Sequence, residues 1–232
     1  MPKMAANLSM LFNEVPFMDR FDAAAKAGFT GVEYLFPYDY DLDAIAEKLQ
    51  KNNLTQVLFN LPAGNWAAGE RGIACHPERV SEFQEGVGKA IDAAKKLGCK
   101  QVNCLSGPVL PGVSEDKLRA TFVSNLKFAA EKLKAEGIRL VTEPVNTIDM
   151  KNAYLNHTQQ AVDIIRETGS DNLFIQYDIY HMQRMEGELA NTIKANLPLI
   201  KHMQLADLPN RNEPGTGEIN YHFLFKFIDD IG

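Results

Sequence analysis

Ile138-Arg139-Leu140-Val141-Thr142-Glu143 is an apolar run of strand length, entered from Gly137 and closed by a carboxylate and Pro144. Ahead of it, Ser114 to Ala135 has the apolar spacing of a helix, and Gly137 supplies the left-handed stop. Behind it, Thr158 to Thr168 is again helical and ends at Gly169. The next unit repeats the pattern: Leu173-Phe174-Ile175-Gln176-Tyr177-Asp178 is a run ending in a carboxylate, followed by a helix from Glu186 to Asn196. Ile200 to Leu205 and a helix from Tyr221 to Ile231 follow.

Towards the N-terminus the same alternation continues. Apolar runs fall at Ala5–Phe12, Gly31–Phe36, Leu54–Leu61 and Gln101–Leu105, with helices expected over Pro16–Ala27, Asp41–Asn52 and Glu78–Leu97. That makes seven strands, each followed by a helix. Near-continuous apolar runs indicate strands buried on both faces. Regular βα alternation indicates a parallel sheet. A doubly wound nucleotide-binding sheet would carry a glycine-rich turn after its first strand, but the turn here is Leu11-Phe12-Asn13-Glu14. Seven sequential units with polar residues at most strand ends predict a (β/α)₈ barrel, a TIM-type α/β fold. No linker or shift in composition divides the chain, so residues 1–232 are expected to form one domain.

The bulk composition narrows the function classes. With 45% hydrophobic and 23% charged residues the chain reads as globular. A formal net charge of −6 without a Lys/Arg-rich run argues against nucleic acid as a partner. No run approaches the roughly 18 apolar residues of a membrane span, and the N-terminus lacks signal-peptide form. Three cysteines, Cys75, Cys99 and Cys104, fit neither a disulfide framework nor a zinc pattern. Buried free thiols in a cytoplasmic protein are the expectation.

In a barrel, chemistry gathers at the C-terminal ends of the strands. The polar residues placed there are Asn7 and Ser9, Glu33, Asn60, Asn103 and Ser106, Glu143 and Asn146, Asp178 and His181, and Gln204 and Asp207. A carboxylate closing a buried strand must be paired, metal-bound or protonated, because burying it alone costs several kcal/mol, on the order of what a fold can spare. Glu143 and Asp178 both meet that description. Asp178 also has the position of a helix N-cap, and His181 lies three residues on. The carbonyl oxygen of Gln204 could ligate a hard ion or simply tie two strands together. Oxygen ligands of this kind favour Mg²⁺ or Mn²⁺ over zinc. A zinc endonuclease would need more histidine ligands than the five His provide. A metal that polarises a carbonyl, next to a carboxylate base, suits proton abstraction beside that carbonyl. Two loops, Gly69-Glu70-Arg71-Gly72 and Asn210-Arg211-Asn212-Glu213, offer Arg71 and Arg211 to grip an anionic substrate.

At these residues the chain resembles the hydroxypyruvate isomerase family of xylose-isomerase-like TIM barrels. The resemblance spans the whole chain. It rests on Phe36-Pro37-Tyr38-Asp39-Tyr40-Asp41, on Asn60-Leu61-Pro62-Ala63-Gly64 with Trp66 to Cys75, on Glu143-Pro144-Val145-Asn146, on Gln176 to Gly187, and on Glu213 to Tyr221. It implies an aldose–ketose type isomerisation of hydroxypyruvate to 2-hydroxy-3-oxopropanoate through an enediol, within glyoxylate and carbohydrate metabolism. Glu143 matches the family's proton-transfer residue and metal ligand. Asp178 and Gln204 match its other ligands, and sugar epimerases of the group carry a histidine where Gln204 stands. His181, Arg71 and Arg211 are left as substrate contacts. A related oxo-tetronate or ketose is the alternative substrate, and a non-catalytic acid-binding remnant is the alternative class. The family also carries a second catalytic glutamate on an eighth strand. This chain stops at Asp229-Asp230-Ile231-Gly232, so the expected barrel is C-terminally incomplete, short of the roughly 250 residues usual for the fold. An open seam would favour a homo-oligomer.

Overall fold

The structure is a computed structural model and describes residues 2–232. Seven parallel strands lie in chain order, β1 (Ala5–Asn7), β2 (Gly31–Glu33), β3 (Thr55–Asn60), β4 (Gln101–Cys104), β5 (Arg139–Thr142), β6 (Leu173–Asp178) and β7 (Ile200–Gln204). The helices are α1 (Phe17–Lys26), α2 (Leu42–Lys51), α3 (Val80–Leu97), α4 (Glu115–Ala135), α5 (Thr158–Thr168), α6 (Ile179–Met185), α7 (Leu189–Asn196) and α8 (Tyr221–Ile231). Each strand is followed by at least one helix, as a parallel sheet requires.

The sheet curls. Glu33 on β2 meets His202 at 2.6 Å and Gln204 at 2.5 Å, both on β7, so side chains from nearly opposite ends of the strand order touch inside the barrel. No ladder joins β7 to β1 among the described residues. The main core lies between sheet and helices, where Val102, Leu140, Ile175, Leu118, Phe122, Leu126 and Ile164 are fully buried. A second cluster under α1 and α2 holds Phe21, Val32, Tyr34 and Ile45. Residues alternate along each strand, so Leu140 packs under the helices while Val141 faces the interior.

The ladder segments are shorter than the apolar runs. The run from Ala5 leaves the ladder at Asn7, whose side-chain oxygen accepts from the Ser9 N–H, and Phe12 sits at φ 62°. The unit after β6 holds two helices where the sequence indicates one. Asp178 caps α6 by accepting from the His181 N–H at 3.1 Å, and Gly187 (φ 63°) and Glu188 (φ 48°) turn the chain into α7. The three cysteines are free and buried, and burial pushes the Cys75 and Cys99 thiols up to about 12. No described helix is long and apolar enough to cross a membrane.

Candidate active site

The C-terminal ends of β5 and β6 bring two carboxylates and an imidazole together. Glu143 follows β5 and Asp178 ends β6; His181 rides on the first turn of α6, which Asp178 caps. One ligand atom from each lies within 4.8 Å of the others, and all three residues are buried. His181 Nε2 is 3.5 Å from Asp178 Oδ2 and 3.9 Å from Glu143 Oε1. One Asp178 oxygen caps the helix, and the other lies beside His181 Nε2 and Arg211.

Glu143 cannot hold its charge easily here. Desolvation raises its pKa, and the neighbouring Asp178 charge raises it further, to about 8. Arg211, Gln176 and Asn103 pull in the opposite direction. Asn103 donates to Glu143 Oε2 at 2.9 Å and to Asn60 at 3.0 Å, which ties the third and fourth strands to the carboxylate. The imidazole of His181 is pushed below its ordinary value, chiefly by burial, so it is neutral at pH 7. The backbone N–H of Asn146 donates to Nδ1 at 3.2 Å, and Nε2 faces the two carboxylates.

Both expected arginines reach the site. Arg211 Nη2 lies 3.7 Å from Asp178 Oδ2 and 3.3 Å from His181 Nε2, and its guanidinium stacks on Tyr180 at 4.8 Å. The loop that carries it is built on buried Asp207, which accepts from the backbone N–H groups of Leu208, Gly215 and Ile219 and pairs in a backbone bridge with Asn212. Arg71 stacks on Trp66 with its guanidinium carbon 4.1 Å from the ring centre, and donates to the carbonyls of Trp66 and Glu70. It lines a narrow cavity together with Glu143, Ser106 and Lys151. Two glycines bring it there. The Gly72 and Gly107 backbones cross so closely that a Cβ on either would lie 2.5 Å from the other's main chain, and both take positive φ.

Gln204 is placed differently from the other candidates. Its carbonyl accepts from Gln176 at 2.8 Å and its amide donates to Glu33, so it closes a chain of polar side chains across the barrel. Gln176 is a site neighbour with no separate signal in the sequence, since it sits mid-run in β6. Lys151 is another, an isolated Lys in a polar loop.

Glu143 and Asp178 fit a hard divalent ion in charge and donor type, and the buried oxygens Gln176 Oε1 and Asn103 Oδ1 have no hydrogen-bond partner. His181 Nε2 faces the same space and completes the three-residue cluster.

A model of the xylose isomerase-like TIM barrel family matches residues 21–232. The hydroxypyruvate isomerase of Escherichia coli is 53% identical over 230 residues, covering 99% of this chain and 89% of that protein. The 2-oxo-tetronate isomerase of Cupriavidus necator is 42% identical over 232 residues, covering 100% of this chain and 89% of that protein. A crystal structure described as an AP endonuclease, family 2, from Brucella melitensis superposes with a TM-score of 0.97 at 44% identity, over 100% of this chain and 90% of that one.

Proposed function

The chain belongs to the xylose isomerase-like TIM barrel family, and from that premise we propose that it is a hydroxypyruvate isomerase, interconverting hydroxypyruvate and 2-hydroxy-3-oxopropanoate. The observation that carries the reading is the buried Glu143, poised by its surroundings near neutrality beside His181 Nε2 and two arginines. The activity of the Escherichia coli relative supports the substrate.

Hydroxypyruvate carries a carboxylate, a ketone at C2 and a hydroxymethyl group at C3. Arg71 and Arg211 are the cations available for its carboxylate, and each is held by stacking on an aromatic ring, which fixes the guanidinium plane. Glu143, once ionised, takes a proton from C3. The electron pair moves into a C2–C3 double bond and negative charge develops on the C2 oxygen. His181 Nε2–H donates to that oxygen, which stabilises the charge where it forms. Return of the proton to C2, with transfer of the C3 hydroxyl proton to the C2 oxygen, leaves an aldehyde at C3. A base with a pKa near the working pH suits this step.

Glu143 and Asp178 are the residues that would hold Mg²⁺ or Mn²⁺, with Gln204 close behind them. When bound, such an ion would add Lewis-acid polarisation of the carbonyl. The same reading places the protein in glyoxylate metabolism, in a cytoplasmic setting, as a single-domain enzyme.

The 2-oxo-tetronate isomerases are a second reading, supported by identities of 42% and 43% to two of them. An endonuclease reading has less support, since the acidic and histidine cluster contains one His among the described residues. The test is direct. Purified protein is incubated with hydroxypyruvate or with a 2-oxo-tetronate, and products are followed by NMR. Preferential turnover of hydroxypyruvate supports the proposal; preferential turnover of the four-carbon acid replaces it. Binding of both acids without turnover of either would indicate a non-catalytic protein.

A further inference from the structure

The other mouth of the barrel holds a cavity of about 560 Å³ at the N-terminal ends of β3 to β7. Arg139 opens β5 and Lys201 is the second residue of β7, so this mouth lies several residues down the strands from Glu143 and Gln204, on the order of 10 Å at ~3.3 Å per residue. Lys100, Lys134, Arg139 and Lys201 line it, and no Asp or Glu does. Lys134 is paired with Asp171 at 2.6 Å. Lys100, Arg139 and Lys201 make no ion pair among the described residues.

Two of these cations are held close by the same group. Arg139 from β5 and Lys201 from β7 flank Phe174 on β6, at 5.7 and 5.3 Å from its ring centre. The Arg139 guanidinium also donates to Gln101 Oε1 at 3.2 Å, and the Gln101 amide nitrogen is a further donor with no partner among the described residues. Three cations with no ion-pair partner among the described residues and one amide donor line a single concavity, in a protein whose net charge is −6.

We propose that this mouth is a binding site for a compact oxyanion of the phosphate class, separate from the isomerase site. Arg139 and Lys201 supply the charge and Gln101 an orienting donor. The occupant is a phosphate group, free or carried on a small organic molecule. Phosphate rather than a monocarboxylate is favoured because three cations face one space.

Calorimetric titration of the full chain with inorganic phosphate, sn-glycerol 3-phosphate and acetate tests this. Saturable phosphate binding at about 1 mM or tighter is expected, with acetate at least about tenfold weaker. Tighter binding of glycerol 3-phosphate than of phosphate identifies the organic source, and equal binding the free ion. Arg139→Gln with Lys201→Gln should weaken binding about tenfold or more, and so should Lys100→Gln, an exposed position suited to the test should the double variant misfold. Arg71→Gln and Arg211→Gln should leave it unchanged. Absence of saturable binding up to about 10 mM overturns the proposal. So does wild-type affinity in the folded Arg139, Lys201 and Lys100 variants, or loss of binding on changing Arg71 or Arg211 instead.

Discussion

Gln204 on β7 donates a 2.5 Å hydrogen bond to Glu33 on β2, spanning 171 positions of sequence and the interior of the barrel. The second carboxylate oxygen of Glu33 meets His202, and Asn7 donates to the first at 2.9 Å. One carboxylate thus holds three polar side chains from the two ends of the sheet.

Replacing Glu33 with Ala strands those partly buried partners. Each unsatisfied buried group costs about 1–3 kcal/mol. The expected outcome is a fall in Tm of several degrees, roughly 2–4 °C per kcal/mol for a chain of this size, read by calorimetry. Glu33→Gln, which keeps an acceptor oxygen, should lose less.

Glu143→Gln should lower kcat by about 10²–10⁴, the span of a general base. Its stability effect has the opposite sign. The folded-state pKa of Glu143 is raised from 4.5 to about 8, so wild-type stability falls as pH rises across that window. The variant, with nothing to ionise, should melt above the wild type at pH 8.5, and the difference should vanish as pH falls towards 4.5. Parallel Tm profiles across pH would contradict the assignment.

The base must be ionised to act. In metal-free protein kcat/KM should therefore rise with pH through about 8. Arg211 lowers the Glu143 pKa, so Arg211→Met should move this limb to higher pH as well as raise KM. Arg71→Met, whose guanidinium stacks on Trp66 and is not among the groups that shift the Glu143 pKa, should raise KM and leave the limb in place.

Removal of divalent ions with a chelator should lower activity, and Mg²⁺ or Mn²⁺ should restore it. Mn²⁺ binding, followed by electron paramagnetic resonance, should weaken strongly in Asp178→Asn, which removes the charge and keeps an oxygen able to cap α6.

Asp207→Ala removes the acceptor for three backbone N–H groups of the loop that carries Arg211. KM should rise while the alkaline limb of the melting profile, set by Glu143, persists. Hydrogen exchange over 208–219 should speed up.

The barrel was legible because each unit carries its own signals: a run such as 138–143 buried on both faces, a cap such as Ser114, and a stop such as Gly137 or Gly169. Glu143, Asp178 and His181 were legible because a carboxylate at the end of an apolar strand needs a reason to be there. Helix α6 was not, since Ile179, Tyr180, His181 and Met182 are all buried and leave no polar face to mark a helical period. The engagement of Gln204 with Glu33 was not legible either. It depends on how far the sheet curls, which no local spacing encodes. Lys151 and Gln176 carry no signal of their own, and only the fold brings them to Glu143.

Glu143, Asp178, Arg71 and Arg211 come from different strand–helix units spread over most of the chain. A partly assembled sheet that lacks β7 and the loop after it still has a hydrophobic core around α3 and α4, yet it has no complete site. Contacts this distant in sequence close late, after most of the chain's entropy has been surrendered. Return of catalysis on refolding should consequently lag behind return of helical signal, and enzymatic competence reports the final closure of the molecule rather than its collapse.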